Sequence, residues 1–139
     1  MRLGWAYMPP EIVEVMHRVR SPFNVGAAAQ AAGTGAVLDQ AFTCKVRQHN
    51  EKWLSWTREQ LIKIGLYVPD SVGNFLLVQF EQSPDRDAKA ADSFLKSEGI
   101  IVRRMDSYGL PQSLRITIGT EEEMQTIVAC LAKFQERRA

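Results

Sequence analysis

This 139-residue sequence is poor in the residues from which most catalytic and metal centres are built. It has two histidines, His17 and His49, and two cysteines, Cys44 and Cys130. Neither histidine stands near a Cys, Asp or Ser at the spacing of a recognised motif, so both read as surface or packing residues. The cysteines have no metal-ligand spacing and no reason to pair. No metal site is expected, and two free thiols fit a reducing, cytoplasmic setting. Neither sign of charge is in excess: 17 Lys+Arg stand against 16 Asp+Glu, a formal net charge of +1. A nucleic-acid binder would show a clustered basic surplus, so no nucleic-acid partner is expected. Long apolar runs are missing as well. Nothing approaches the ~20 residues of a membrane span, and the opening run Leu3–Met8 meets Pro9-Pro10 before it reaches the length of a secretory signal. The stretch "GAAAQAAGTG" has glycines but no preceding strand and no GxGxxG order, which excludes a dinucleotide loop.

What remains is ordinary globular material, with 45% hydrophobic and 24% charged residues in one domain's length of chain. Leu3-Gly4-Trp5-Ala6-Tyr7-Met8 predicts a short strand. Pro10 suits the first turn of a helix. Ile12, Val15, Met16 and Val19 recur at helical spacing, which predicts an amphipathic helix over 10–20 that Ser21-Pro22 ends. "NVGAAAQAAGTGAVL" predicts a second helix with Asn24 as N-cap, and its small residues suit a buried, close helix contact. Asp39 can cap a long third helix that stops at Gly65, with Trp53, Trp56, Leu61 and Ile64 as apolar contacts.

Beyond Gly65 the hydrophobic period changes. "SVGNFLLVQF" predicts a strand over 71–80. "SPDRDAKAADSFLKSEG" predicts a helix starting at Ser83-Pro84, with Ala88, Ala91, Phe94 and Leu95 apolar and Gly99 past its end. "IIVRRM" reads as a second strand, "SYGLPQS" as a turn-rich loop and "SLRITIG" as a third strand. In that third strand Leu114, Ile116 and Ile118 share one face, Arg115 and Thr117 the other. Thr120-x-x-Glu123 is a capping box, and the last helix carries Met124, Ile127, Val128 and Leu131 on one side. Residues 1–65 are thus expected to be a helical segment after one orphan strand, and residues 66–139 a β-α-β-β-α unit. The fold class is α/β, or α+β in a strict scheme. One strand is not a sheet, so residues 3–8 need partners, either in the C-terminal sheet or outside this sequence.

Three arginines are candidate site residues. Arg2 begins the first strand, Arg103 follows Ile100-Ile101-Val102, and Arg115 sits mid-strand opposite an apolar face. A guanidinium fork donates two parallel hydrogen bonds to a carboxylate or phosphate. Arg115, followed by Thr117 and a helix start at Gly119-Thr120, can point such a fork into a pocket. A solvated sheet face or a structural ion pair is the competing reading. Glu121-Glu122-Glu123 lies in a helix first turn, where the dipole favours it, and reads as structural.

"RLGWAYMPPEIVEVMHRVRSPFNVGAAAQAAG", "HNEKWL", "SVGNFLLVQF", "GIIVRRM", "YGLP" and "LRITIGTEEE", in this order, resemble the C-terminal part of histidinol-phosphate aminotransferase, a fold type I, pyridoxal-phosphate-dependent enzyme. The resemblance covers essentially the whole chain. It implies the small domain of that fold (66–139), preceded by an edge strand and connecting helices left from the large domain (1–65). It implies that Arg2 holds the cofactor phosphate, and that Arg103 and Arg115 hold the anionic end of a small-molecule substrate. The family's Schiff-base lysine lies before the segment that begins here at Met1, and none of the six lysines matches it. No catalytic residue is therefore assigned. The chain alone is expected neither to catalyse nor to bind pyridoxal phosphate. The intact enzyme implied by the resemblance is a cytoplasmic homodimer of histidine biosynthesis that moves an amino group between histidinol phosphate and 2-oxoglutarate. A homo-oligomer is the expected partner state, and an N-terminal half supplied elsewhere is a second possible partner. Two alternatives stay open: a non-catalytic dimerisation or regulatory module, and a small α/β binding domain.

Overall fold

In the computed structural model, which describes residues 3–137, α1 runs Pro10–Val19 with proline at its start. Glu11 lies in its first turn and His17 and Arg18 in its last, as the helix dipole prefers. α2 runs Ala27–Leu38 from Gly26, with no side-chain cap. Asn24 is therefore not its N-cap: its Oδ1 accepts a hydrogen bond from Arg20 Nη1 at 3.0 Å instead. α3 runs Gln40–Lys63. Asp39 closes its first turn, its Oδ1 accepting from Phe42 N at 2.9 Å, and Gly65, at φ 86°, takes the left-handed conformation that ends it.

Two expectations fail before residue 40. Residues 3–9 form no strand, because a strand exists only as a hydrogen-bonded pair and no described segment offers a ladder to them. The small-residue face of α2 is not buried either. At Gly33, Leu3 lies so near that a Cβ would come within 2.0 Å of its Cδ2.

The chain divides between Val46 and Arg47 into two units. In the first, no described residue is buried. The second holds a three-stranded antiparallel sheet. Its strands are β1 (Phe75–Gln79), β2 (Arg103–Arg104) and β3 (Ser113–Thr117), and its order is β1-β3-β2. Leu76 pairs with Ile116 and Val78 with Leu114. All four are buried on one face, where α4 (Ala88–Ser97), α5 (Glu121–Glu136) and the later part of α3 supply Leu95, Phe94, Leu131, Ile127, Leu61 and Trp53. Phe134 stacks on Phe94 at 5.6 Å and meets Phe80 edge-on at 6.2 Å, so one ring joins helix to sheet margin.

Three elements are shorter than the apolar patterns predict. β1 starts at Phe75, not at 71, because Ser71 Oγ folds the preceding residues into a turn, accepting from Gly73 N and donating to Phe75 O. α4 starts after Asp87, not at Ser83. The segment 83–86 closes as a turn, and Asp87 accepts from Ala90 N at 2.7 Å. β2 is two residues long because the N–H of Ile100 is committed to Leu95 O, at 2.8 Å, in closing the end of α4. The capping box of α5 forms as its spacing predicts: Thr120 N donates to Glu123 Oε2 at 2.7 Å, and Glu123 N to Thr120 Oγ1 at 3.3 Å.

Candidate anion-binding site

The register of the sheet puts Arg103 of β2 directly opposite Arg115 of β3. Side chains at opposed positions of an antiparallel pair lie on the same face, and like charges so placed repel. Both arginines line one cleft of about 700 Å³, together with Val102, Thr117, Gly119, Glu122 and Glu123. The sequence therefore names two residues that the fold brings together. Arg2 lies outside the described residues.

The surroundings of these guanidiniums differ from those of other arginines. Arg47 pairs with Glu51, Arg58 with Asp70, Arg86 with Glu81 and Arg104 with Asp106. Among the described residues neither Arg103 nor Arg115 has a carboxylate partner. Half-buried Arg115 has its guanidinium carbon 5.0 Å from the centre of the Phe75 ring. Its Nε is shielded from solvent without an acceptor, a state that costs about 1–3 kcal/mol for a buried donor. Arg103 donates from Nη2 to the Tyr108 hydroxyl at 3.1 Å and lies 5.4 Å from the Tyr108 ring centre.

The rim of the cleft is fixed from behind. His49 on α3 places Nε2 2.8 Å from Gly119 O, just ahead of the α5 capping box. In this role His49 is a packing residue with one specific partner 70 positions away. Tyr108, Phe75 and His49 lie in stretches that carry the family resemblance, but none belongs to a motif that assigns it a role. Beside the cleft, the hydrogen bond from Arg104 holds the Asp106 carboxyl below its ordinary 3.8.

The chemistry on offer is planar, bidentate and cationic, which suits carboxylate and phosphate. It does not suit the covalent attachment of an aldehyde cofactor. Such a group needs a lysine amine, and the cleft lining has none. Lys45, Lys52, Lys63, Lys89, Lys96 and Lys133 all lie exposed on α3, α4 and α5. Lys52 rests 4.7 Å from the Trp53 ring centre and Lys96 bonds Asp92 Oδ2 at 2.7 Å.

Comparison with known proteins gives this mixed helical domain with its small antiparallel sheet a family. The chain belongs to the aminotransferase class I and II family, whose model matches residues 1–131. Within that family it is similar to the histidinol-phosphate aminotransferase of Paramagnetospirillum magneticum, 54% identical over 96% of this chain and 37% of the relative. The Rhodospirillum rubrum protein of the same name is 48% identical over 96% of this chain and 36% of the relative. The chain thus spans little more than a third of the length of these relatives. Among solved structures, the histidinol-phosphate aminotransferase of Clostridium acetobutylicum superposes with a TM-score of 0.80 at 22% identity, over 92% of this chain and 39% of that one. A decarboxylase from Sulfurospirillum multivorans superposes at 0.72 with 24% identity, over 90% of this chain and 36% of that one. These likenesses carry the fold, and the fold alone does not choose the reaction.

Proposed function

We propose that this chain is the substrate-anion portion of a pyridoxal-phosphate-dependent histidinol-phosphate aminotransferase, corresponding to its C-terminal part. Residues 1–65 answer to the edge and connecting helices of the large domain, and residues 66–139 to the small domain. The carrying observation is the cross-strand pairing of Arg103 and Arg115 in one cleft without carboxylate partners. Arg115 grips a carboxylate or phosphate with its fork, Arg103 adds charge for a phosphate, and Arg2 holds the cofactor phosphate. The two donor substrates, histidinol phosphate and an amino acid that returns as 2-oxoglutarate, are both anions, so one arginine pair serves both half-reactions. The cofactor, when bound, supplies an electron sink. None of the six lysines of this sequence is the lysine that carries it, and the complete enzyme is a cytoplasmic homodimer.

The test is reconstitution. This chain is co-expressed with the complementary N-terminal portion of the Paramagnetospirillum magneticum relative, and amino transfer from histidinol phosphate to 2-oxoglutarate is followed. Activity is expected from the pair and from neither chain alone. As a control, borohydride reduction of this chain with pyridoxal phosphate should mark no lysine stoichiometrically. A soluble, co-purifying but inactive pair, or a single fully modified lysine on this chain, refutes the proposal.

A further inference from the structure

We propose that Tyr108 is a positioning residue that holds the Arg103 guanidinium at the cleft beside Arg115, and thereby sets a preference for a phosphate dianion over a carboxylate. The proposal rests on reading the cleft as an anion site.

Two guanidiniums at opposed register positions repel each other. Arg103 is exposed, so nothing in the sheet itself keeps its long side chain from swinging into water. A carboxylate would hold it, as Asp106 holds the neighbouring Arg104, but would also neutralise it and compete with any anionic ligand. Tyr108 holds it differently. The phenol oxygen accepts one N–H at 3.1 Å, and the ring stands 5.4 Å from the guanidinium carbon. Both contacts are with a neutral group, so the arginine is fixed and its charge is not cancelled. Its other N–H donors stay available to a ligand.

The tyrosine is itself anchored. It closes a turn at residues 106–108 in which Tyr108 N donates to Met105 O at 3.0 Å and Gly109 N to Asp106 O at 3.0 Å. Gly109, at φ 73°, lets the chain leave that turn without strain. Arg104 clamps the Asp106 carboxylate at the start of the turn, with Nε 2.8 Å from Oδ2. The alternation of neighbours therefore has a logic: Arg104 pins the turn, and the turn's tyrosine pins Arg103.

A carboxylate has two oxygens, and the single fork of Arg115 satisfies both. A phosphate monoester or free phosphate has further oxygens and a second negative charge near neutral pH, and uses a second guanidinium. Loosening Arg103 should weaken phosphate alone.

The experiment is a nitrogen-15 NMR titration of the full chain with inorganic phosphate and, separately, acetate, repeated for Tyr108→Phe and Tyr108→Leu, with thermal melts of each. The unmodified chain should bind phosphate more tightly than acetate. Tyr108→Phe, which keeps the ring and loses the acceptor, should weaken phosphate by about 2- to 10-fold, the effect of leaving one long side chain to be ordered on binding. Tyr108→Leu should weaken it further. Acetate affinity and melting temperature should not move in either variant. Unchanged phosphate affinity in both variants overturns the proposal, as does an equal loss for both anions. If the unmodified chain binds neither anion, or if Arg115→Ala binds both as before, the anion reading itself fails and the proposal with it.

Discussion

Replacing Arg115 with alanine should separate a binding arginine from a structural one, because the structure predicts opposite effects on affinity and stability. A hydrogen bond to a charged group is worth about 1.5–3 kcal/mol. Removing the fork should therefore weaken phosphate or carboxylate binding by roughly 10- to 100-fold. The folded state loses the contact of the guanidinium with Phe75, at 5.0 Å, about 0.5–2 kcal/mol for a half-buried cation on a ring, together with some packing of the aliphatic stem. Against this, it loses the solvent-shielded Nε that has no acceptor, a relief of about 1–3 kcal/mol. It also loses the repulsion across the strands from Arg103, about 0.2–1 kcal/mol. The sum lies near zero or on the stabilising side, so the melting temperature should stay within a few degrees. Arg115→Lys should restore charge but not the two parallel donors, and recover only part of the affinity. Calorimetric melts beside anion titrations read both quantities. A variant that melts well below the parent yet binds anions unchanged would show that Arg115 serves the sheet and not a ligand.

Two further outcomes follow from the described geometry. The hydrogen bond from Arg104 depresses the Asp106 carboxyl, so the stability it contributes is present above the ordinary value of 3.8 and is lost as pH falls through the lower folded value; Arg104→Gln should raise the carboxyl's NMR titration midpoint, and an unmoved midpoint refutes the assignment. In the first unit Trp5, Tyr7 and Phe23 are 85%, 96% and 97% exposed, an apolar display that marks association, so the chain should sediment as a dimer or larger species at concentrations on the order of micromolar, and a clean monomer would count against this.

Several features decided within four or five residues were legible in the sequence, while the Asn24 cap and the Ser83-Pro84 start were not. The Thr120–Glu123 box, the Asp39 cap and the glycine stops at Gly65 and Gly99 depend only on local chain, and each forms. Arg103 and Arg115 were legible as forks, but their meeting depends on the antiparallel register, which no local pattern states. The strand expected over 3–8 fails for the same reason, since pairing belongs to two segments and the pattern describes one. The start expected for α4 at Ser83-Pro84 is misplaced, because the Asp87 carboxylate, three residues before the N–H it accepts, caps the helix instead. β2 was overestimated because its apolar lead-in looks like a strand, while the first N–H of that lead-in belongs to the helix before it. Tyr108 was invisible because an acceptor for an arginine needs no motif.

The strand order β1-β3-β2 also governs how the molecule comes into being. The middle strand is the last of the three to leave the ribosome, and the two outer strands bond to it and not to each other. Until residues 113–117 emerge there is no sheet, and Leu76 and Val78 have only other parts of the chain to shelter them. A nascent chain halted before that point carries unpaired strand edges and bare aliphatic surface, the features that draw aggregation. Because Arg115 sits in that last strand, the cleft cannot precede the sheet. Synthesis thus gives this domain a late closure that starts with β3 and ends with α5, whose Ile127, Leu131 and Phe134 complete the core.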